Sequence, residues 1–159
     1  MANTQTFYYG EMHLCAASAL RLSRKTIKGE ISASSRAKIR SSAQEVAKIV
    51  ERAPPVYGIN TGFGPLCTQQ ISADQARKLQ ENLLKSHAVG MGEAISEETA
   101  RLMLILKLQA LAKGYSGIQE STLDRMLWHL EEDLIPVVPQ QGSVGASGDL
   151  APLAHLFLP

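Results

Sequence analysis

At 159 residues, with 16 basic and 15 acidic side chains spread along the chain for a formal net charge of +1, the sequence can bury a real hydrophobic core. It offers neither a basic stripe for nucleic acid nor a polybasic patch for a membrane surface. The two cysteines, Cys15 and Cys67, stand far apart and outside any Cys-x-x-Cys pairing, which argues against a disulfide framework or a zinc site and for a reducing cytoplasm. The start, Met1 to Leu20, lacks a basic n-region and places Glu11 and His13 where the apolar core of a secretion signal would lie. Up to about Ile31 the pattern is mixed: Tyr8, Leu14, Leu20, Leu22 and Ile27 allow short strands or turns.

From Ser34 to Glu51 the apolar positions Ala37, Ile39, Ala43, Val46, Ala47 and Val50 form a helical stripe, and Pro54-Pro55 ends it. Ser72 followed by Gln75 is a capping box, and Ala76, Leu79, Leu83 and His87 recur at helical spacing up to Gly90. Ser96 with Glu97-Glu98 opens a further helix, and Leu102 to Ala112 is apolar nearly all round, which predicts deep burial. That run is about half of the roughly twenty residues a bilayer span needs, and it contains Lys107 and Gln109, so it reads as core. Leu123, Met126, Leu127 and Leu130 mark another amphipathic helix from about Gln119 to Leu134, with Pro136 at its end. A Gly-rich stretch, Gly142 to Asp149, then enters a short apolar helix with Pro152 in its first turn and Asp149 as its N-cap. That helix has little chain left before Pro159 to bury its apolar face, which predicts a chain cut short. The expected fold class is mainly α, with a mixed or short-strand start and Gly-rich loops.

Three chemistries compete for Gly142 to Asp149. A phosphate cradle at a helix N-terminus lacks the Lys followed by Ser or Thr, and Asp149 would repel the anion. A serine nucleophile elbow needs G-x-S-x-G, but Gly148 follows Ser147 directly. The third is cyclisation. In a tight bend the Gly148 amide nitrogen can reach the Ala146 carbonyl carbon, because glycine obstructs the approach least. Ring closure loses one water and the Ser147 hydroxyl leaves as a second, giving a methylene conjugated to carbonyls. Unmodified side chains supply nucleophiles, acids and bases, so an electron sink of this kind would widen the chemistry open to the chain.

Gly142-Ser-Val-Gly-Ala-Ser-Gly-Asp-Leu-Ala-Pro-Leu-Ala-His155 resembles the signature of the aromatic amino acid ammonia-lyases and aminomutases. The resemblance extends through Tyr57-Gly-Ile-Asn-Thr-Gly-Phe-Gly64 and Leu83-Leu-Lys-Ser-His-Ala-Val-Gly-Met-Gly92. It implies a 4-methylidene-imidazol-5-one group (MIO) formed autocatalytically from Ala146, Ser147 and Gly148, with no metal or nucleotide. Tyr57 matches the base that removes the substrate β-proton. A free phenol ionises only near pH 10, so that role asks for surroundings that favour the phenolate. Ser86-His87 resembles the substrate-binding pair of the histidine-selective members, where Phe-Leu accompanies phenylalanine and His-Leu tyrosine. Taken without the resemblance, Tyr57 reads as a packing or capping residue of a loop and His87 as a half-buried core histidine.

The implied activity is elimination of ammonia from L-histidine to give urocanate, in a cytoplasmic homotetramer that binds a small amino acid and neither nucleic acid nor membrane. Residues 1–159 would be the N-terminal, MIO-bearing domain, with the remaining helical bundle and further substrate-binding residues absent, and the chain inactive alone. The alternatives are a lyase or aminomutase acting on another aromatic amino acid, and a non-catalytic assembly module. His13, His129 and His155 show no metal-ligand spacing and read as structural. Asn60 and Thr61 carry no assigned step.

Overall fold

The segment before Ile31 is more regular than its pattern predicts. The computed structural model describes residues 5–51, 54–62, 68, 71–145 and 148–159, with the backbone alone at 73, 74, 76 and 77. Strand β1 (Thr6–Tyr8) and strand β2 (Lys28–Glu30) pair in parallel, with Phe7 opposite Gly29, and helix α1 (Ala16–Ser23) makes the crossover between them. Alanines at 16, 17 and 19 favour helix, and Ser18 Oγ turns back to accept the Cys15 N–H at 3.0 Å. At the far end Lys25 takes the left-handed conformation (φ 55°) and the Thr26 N–H donates to Arg21 O at 2.9 Å, a closing bond that needs no glycine.

Helices α2 (Ala33–Glu51), α3 (Ala73–His87), α4 (Glu97–Leu111) and α5 (Glu120–Glu131) match the expected ones to within a few residues. Ser72 and Gln75 exchange the two bonds of the capping box, and Ser96 Oγ accepts the Thr99 N–H at 3.2 Å. Asp133 (φ 65°) with a Leu134 N–H to His129 O bond of 3.1 Å, and not Pro136, closes α5. Strands β3 (Met91–Ala94) and β4 (Pro139–Gln141) form an antiparallel pair with an irregular register, and helix α6 (Leu150–Leu156) follows. The chain is mainly helical, as expected, with four short strands among the described residues. No described helix is long and apolar enough to cross a membrane.

The chain divides into two units, each made of two separated stretches: 1–43 with 96–135, and 44–95 with 136–159. In the first unit Ile39, Leu104, Ile105, Leu108, Leu123 and Met126 are buried almost completely around α4. Burial is one-sided, because Leu106 is 55% exposed, so the all-round burial predicted for this helix is corrected. Gln109, an oddity in an apolar run, accepts the Gly10 N–H at 3.0 Å and donates to Met12 O at 2.9 Å, satisfying backbone groups of the turn after β1. Arg36 and Arg40 both reach Glu120, at 2.8 and 3.0 Å, and hold its carboxyl below the usual carboxylate range. Burial raises the Tyr9 phenol, which stays neutral in the core.

In the second unit α6 packs on α3, β3 pairs with β4, and the Ile95 N–H donates to Val138 O at 2.9 Å. Val138, Ala151, Ala154 and Leu156 are its most buried apolar residues. This is the unit that carries the candidate site.

Candidate active site

Three backbone features of the second unit hold the predicted residues. The first is the turn after α2. Val56 O accepts the Ile59 and Asn60 N–H groups at 3.1 and 3.2 Å, so Tyr57 and Gly58 (φ 77°) sit on the outside of a tight turn, and Tyr57 is 64% exposed. Asn60 is fully buried beneath it. Its Oδ1 accepts the Val56 N–H at 2.6 Å, and its Nδ2 donates to Ile49 O and Pro54 O, each at 3.3 Å. One amide thus ties the end of α2 to both sides of the proline break. Thr61, also buried, donates to Gly62 O at 3.0 Å. Phe63 and Gly64 of the same motif, like Cys67, lie outside the described residues.

The second feature is the end of α3. Ser86 Oγ donates to Leu83 O at 3.1 Å, and His87 Nδ1 lies 2.9 Å from the same carbonyl and 3.0 Å from Ser86 Oγ. A carbonyl oxygen only accepts, so the contact with Leu83 O is a hydrogen bond when Nδ1 carries a proton, and in the neutral ring of that tautomer Nε2 keeps its lone pair. His87 is the last helical residue and is part-buried with one backbone partner, as the half-buried histidine read without the resemblance would be.

The third is the arm from Gly142 to Asp149. Gly142 has φ 124°, and a Cβ there would stand 2.9 Å from Gly90 Cα, so only glycine lets the two backbones meet. Ala146 and Ser147 lie outside the described residues. Their flanks approach each other: a Cβ on Gly145 would stand 3.4 Å from Gly148 O, and the position of a Gly148 Cβ has no atom within 4 Å. Asp149 occupies the N-cap position of α6 without capping it, which corrects the expected role. Its Oδ2 accepts the Ser143 hydroxyl, and Oδ1 is buried with no hydrogen-bond partner. Asp149 is committed to the arm before it and not to the helix after it.

Ser86, His87 and Gly148 come together around one cavity of about 350 Å³, completed by Val89, Gly142, Val144, Leu150 and Ala151. That volume lies in the range of small-molecule sites. Tyr57 is not among the lining residues. Asn60, which carried no assigned step, shapes the tyrosine loop through its side-chain amide. His155, read as structural, holds a partner the sequence did not indicate: its Nε2 accepts the Gly90 N–H at 2.9 Å across 65 residues of sequence.

Residues 14–159 match the aromatic amino acid lyase family. The chain is 44% identical over 144 residues to the histidine ammonia-lyase of Burkholderia vietnamiensis, covering 91% of this chain and 28% of that protein. It is 50% identical over 129 residues to the histidine ammonia-lyase of Deinococcus radiodurans, covering 81% of this chain and 25% of that protein. Among solved structures, the histidine ammonia-lyase of Trypanosoma cruzi superposes with a TM-score of 0.81 at 35% identity, over 96% of this chain and 29% of that one. The tyrosine aminomutase of Streptomyces globisporus does so with a TM-score of 0.83 at 32% identity, over 96% and 28%. The chain therefore spans little more than a quarter of the length of these relatives.

Proposed function

Because the chain belongs to the aromatic amino acid lyase family, we propose that it carries the electrophile-forming and substrate-selecting part of an ammonia-lyase that converts L-histidine to urocanate. The observation that carries this reading is the shared cavity: the Ser86-His87 pair and Gly148 line one space of small-molecule size. Its conversion of histidine belongs to a protein of the relatives' full length, working as a cytoplasmic homotetramer. Residues 1–159 are its N-terminal part.

The residues divide the work by chemistry. With its Nδ1 proton held by Leu83 O, His87 offers Nε2 as an acceptor to a substrate imidazole N–H, and Ser86 stands beside it. An acceptor left unpaired in the cavity disfavours a phenyl ring, and this is a physical basis for choosing histidine. Tyr57, held outward by the Asn60 turn, takes the β-proton. Ala146, Ser147 and Gly148 supply a 4-methylidene-imidazol-5-one, an electrophile that makes the substrate amine a better leaving group. Ser143 and Asp149 hold the arm on which that tripeptide lies.

The test is chemical. A proteolytic peptide spanning Ala146 to Gly148 from the mature protein is expected to weigh two waters less than its sequence, and Ser147→Ala is expected to restore the full mass. In a full-length lyase carrying this segment, Ser147→Ala is expected to reduce urocanate formation to background. An intact tripeptide, or undiminished turnover in the variant, would sink the reading. The likeness to a tyrosine aminomutase at a TM-score of 0.83 keeps one rival, return of ammonia to the β-carbon. Chromatography of the products separates the two, since a mutase yields a β-amino acid in place of urocanate.

A further inference from the structure

We propose that His155, as a neutral imidazole, is the positioning residue that sets the Ser86-His87 end of α3 against the Gly142–Gly148 arm. The geometry is local to the second unit, and only its bearing on substrate selection rests on the lyase reading.

The Gly90 N–H donates to His155 Nε2 at 2.9 Å. A backbone N–H only donates, so Nε2 holds a lone pair and the ring proton sits on Nδ1. Gly90 is three residues beyond His87, and the turn between them is tight: the Val89 N–H donates to His87 O at 2.8 Å. On the other side a Cβ at Gly90 would stand 3.0 Å from His155 Nε2 and 3.1 Å from Gln141 O. Imidazole, turn and arm therefore meet closely at Gly90, between Val89 and Gly142 of the cavity that Ser86, His87 and Gly148 also line.

Protonation places a hydrogen on Nε2. Two donors then face each other, and the turn that carries His87 loses its hydrogen bond to α6 while the packing of α3 on α6 remains. Few charges modulate this. The titratable groups on the last two turns of α3 are Glu81, Lys85 and His87; β3 brings Glu93, β4 brings none, and Asp149 precedes α6 itself. Among the described residues, no carboxylate makes an ion pair with His155.

The experiment is a pH titration of the 15N-labelled chain by NMR. In the natural sequence, the ring nitrogens of His155 are expected to show the Nδ1–H form at neutral pH. As pH falls, the Gly90 amide, the His87 ring and the Gly148 amide are expected to shift with the His155 midpoint. His155→Gln keeps an acceptor for Gly90 but does not titrate, so the Gly90 and Gly148 amides should lose the response that follows the His155 midpoint. In His155→Phe the acceptor is gone, and Gly90 amide exchange is expected to be about tenfold faster than in the natural chain at neutral pH, as befits one lost neutral hydrogen bond, with the difference closing below the His155 midpoint. Amides of α4, in the other unit, report whether a variant has merely lost stability. If His155→Phe fails to fold, the natural chain and His155→Gln still decide. Unchanged Gly90 protection in His155→Phe at neutral pH, or persistence in His155→Gln of the Gly90 response at the His155 midpoint of the natural chain, would overturn the proposal. So would Gly90 titration with no response at His87 and Gly148. A chemically intact Ala146-Ser147-Gly148 peptide would defeat the lyase reading and leave these three outcomes with the same meaning.

Discussion

The His87 ring has one nitrogen committed to Leu83 O, and Ser86 shares that carbonyl, so the pair acts as one polar edge of the cavity. Replacing it with Ser86→Phe and His87→Leu together is expected to lower kcat/KM for histidine relative to phenylalanine by about two to four orders of magnitude, read by competition between the two substrates in a full-length lyase. Tyr57→Phe keeps the ring and removes the acid-base group, and should cost roughly 10²- to 10⁴-fold in turnover with a smaller change in KM. Asn60→Ala leaves the Val56 N–H and two carbonyls without their amide, and should lower stability by about 1–3 kcal/mol in urea melts. Of the residues the sequence singled out, Ser86, His87 and Gly148 line one cavity, because they lie in contiguous motifs and motifs are read along the chain; Tyr57 does not line it, and Ala146 and Ser147 lie outside the described residues. His155 acts on a backbone group 65 residues away, and residue type alone does not show where such a partner lies.

Helices α2 to α5 were readable because each carries a capping side chain or a clear apolar stripe, and those signals are local. Helix α1 was not: Cys15 is a poor advertisement for an N-cap, and Ser18 does the reciprocal work usually given to Glu or Gln. Strands of three or four residues carry almost no two-residue period, so β1 to β4 exist through pairing across distant segments. Contacts between α2 and α5 run through charge. Glu120 has its folded-state affinity for protons lowered, by Arg36 first and Arg40 second, so its contribution to stability is present above its unfolded titration range and lost as pH falls through the folded one. Thermal melts should therefore show an acid-side fall below about pH 4 that is shallower in Arg36→Gln than in the natural chain. Gly142→Ala would force a Cβ into Gly90 Cα at a φ of 124°, and is expected to cost about 1–3 kcal/mol while loosening β3 from β4.

At the scale of the molecule, protection against hydrogen exchange should be uneven. Amides of α4 around Leu104 and Leu108 are expected to exchange slowest, and those of the wholly exposed β3 and of the Gly142–Gly145 arm among the fastest, as mass spectrometry of peptic fragments would show. The division into units was invisible in the sequence, since no linker or change of composition marks it. Each unit is threaded from two stretches, and the one bearing Tyr57 and His87 is completed only by residues 136–159. During synthesis, then, the two ends of the cavity emerge from the ribosome far apart in time. Helix α3 is made early, and the arm and the histidine that meet it come last. A nascent chain halted at Ile135 holds every residue of the first unit and no part of β4 or α6, so it should bury α4 while leaving the cavity unbuilt.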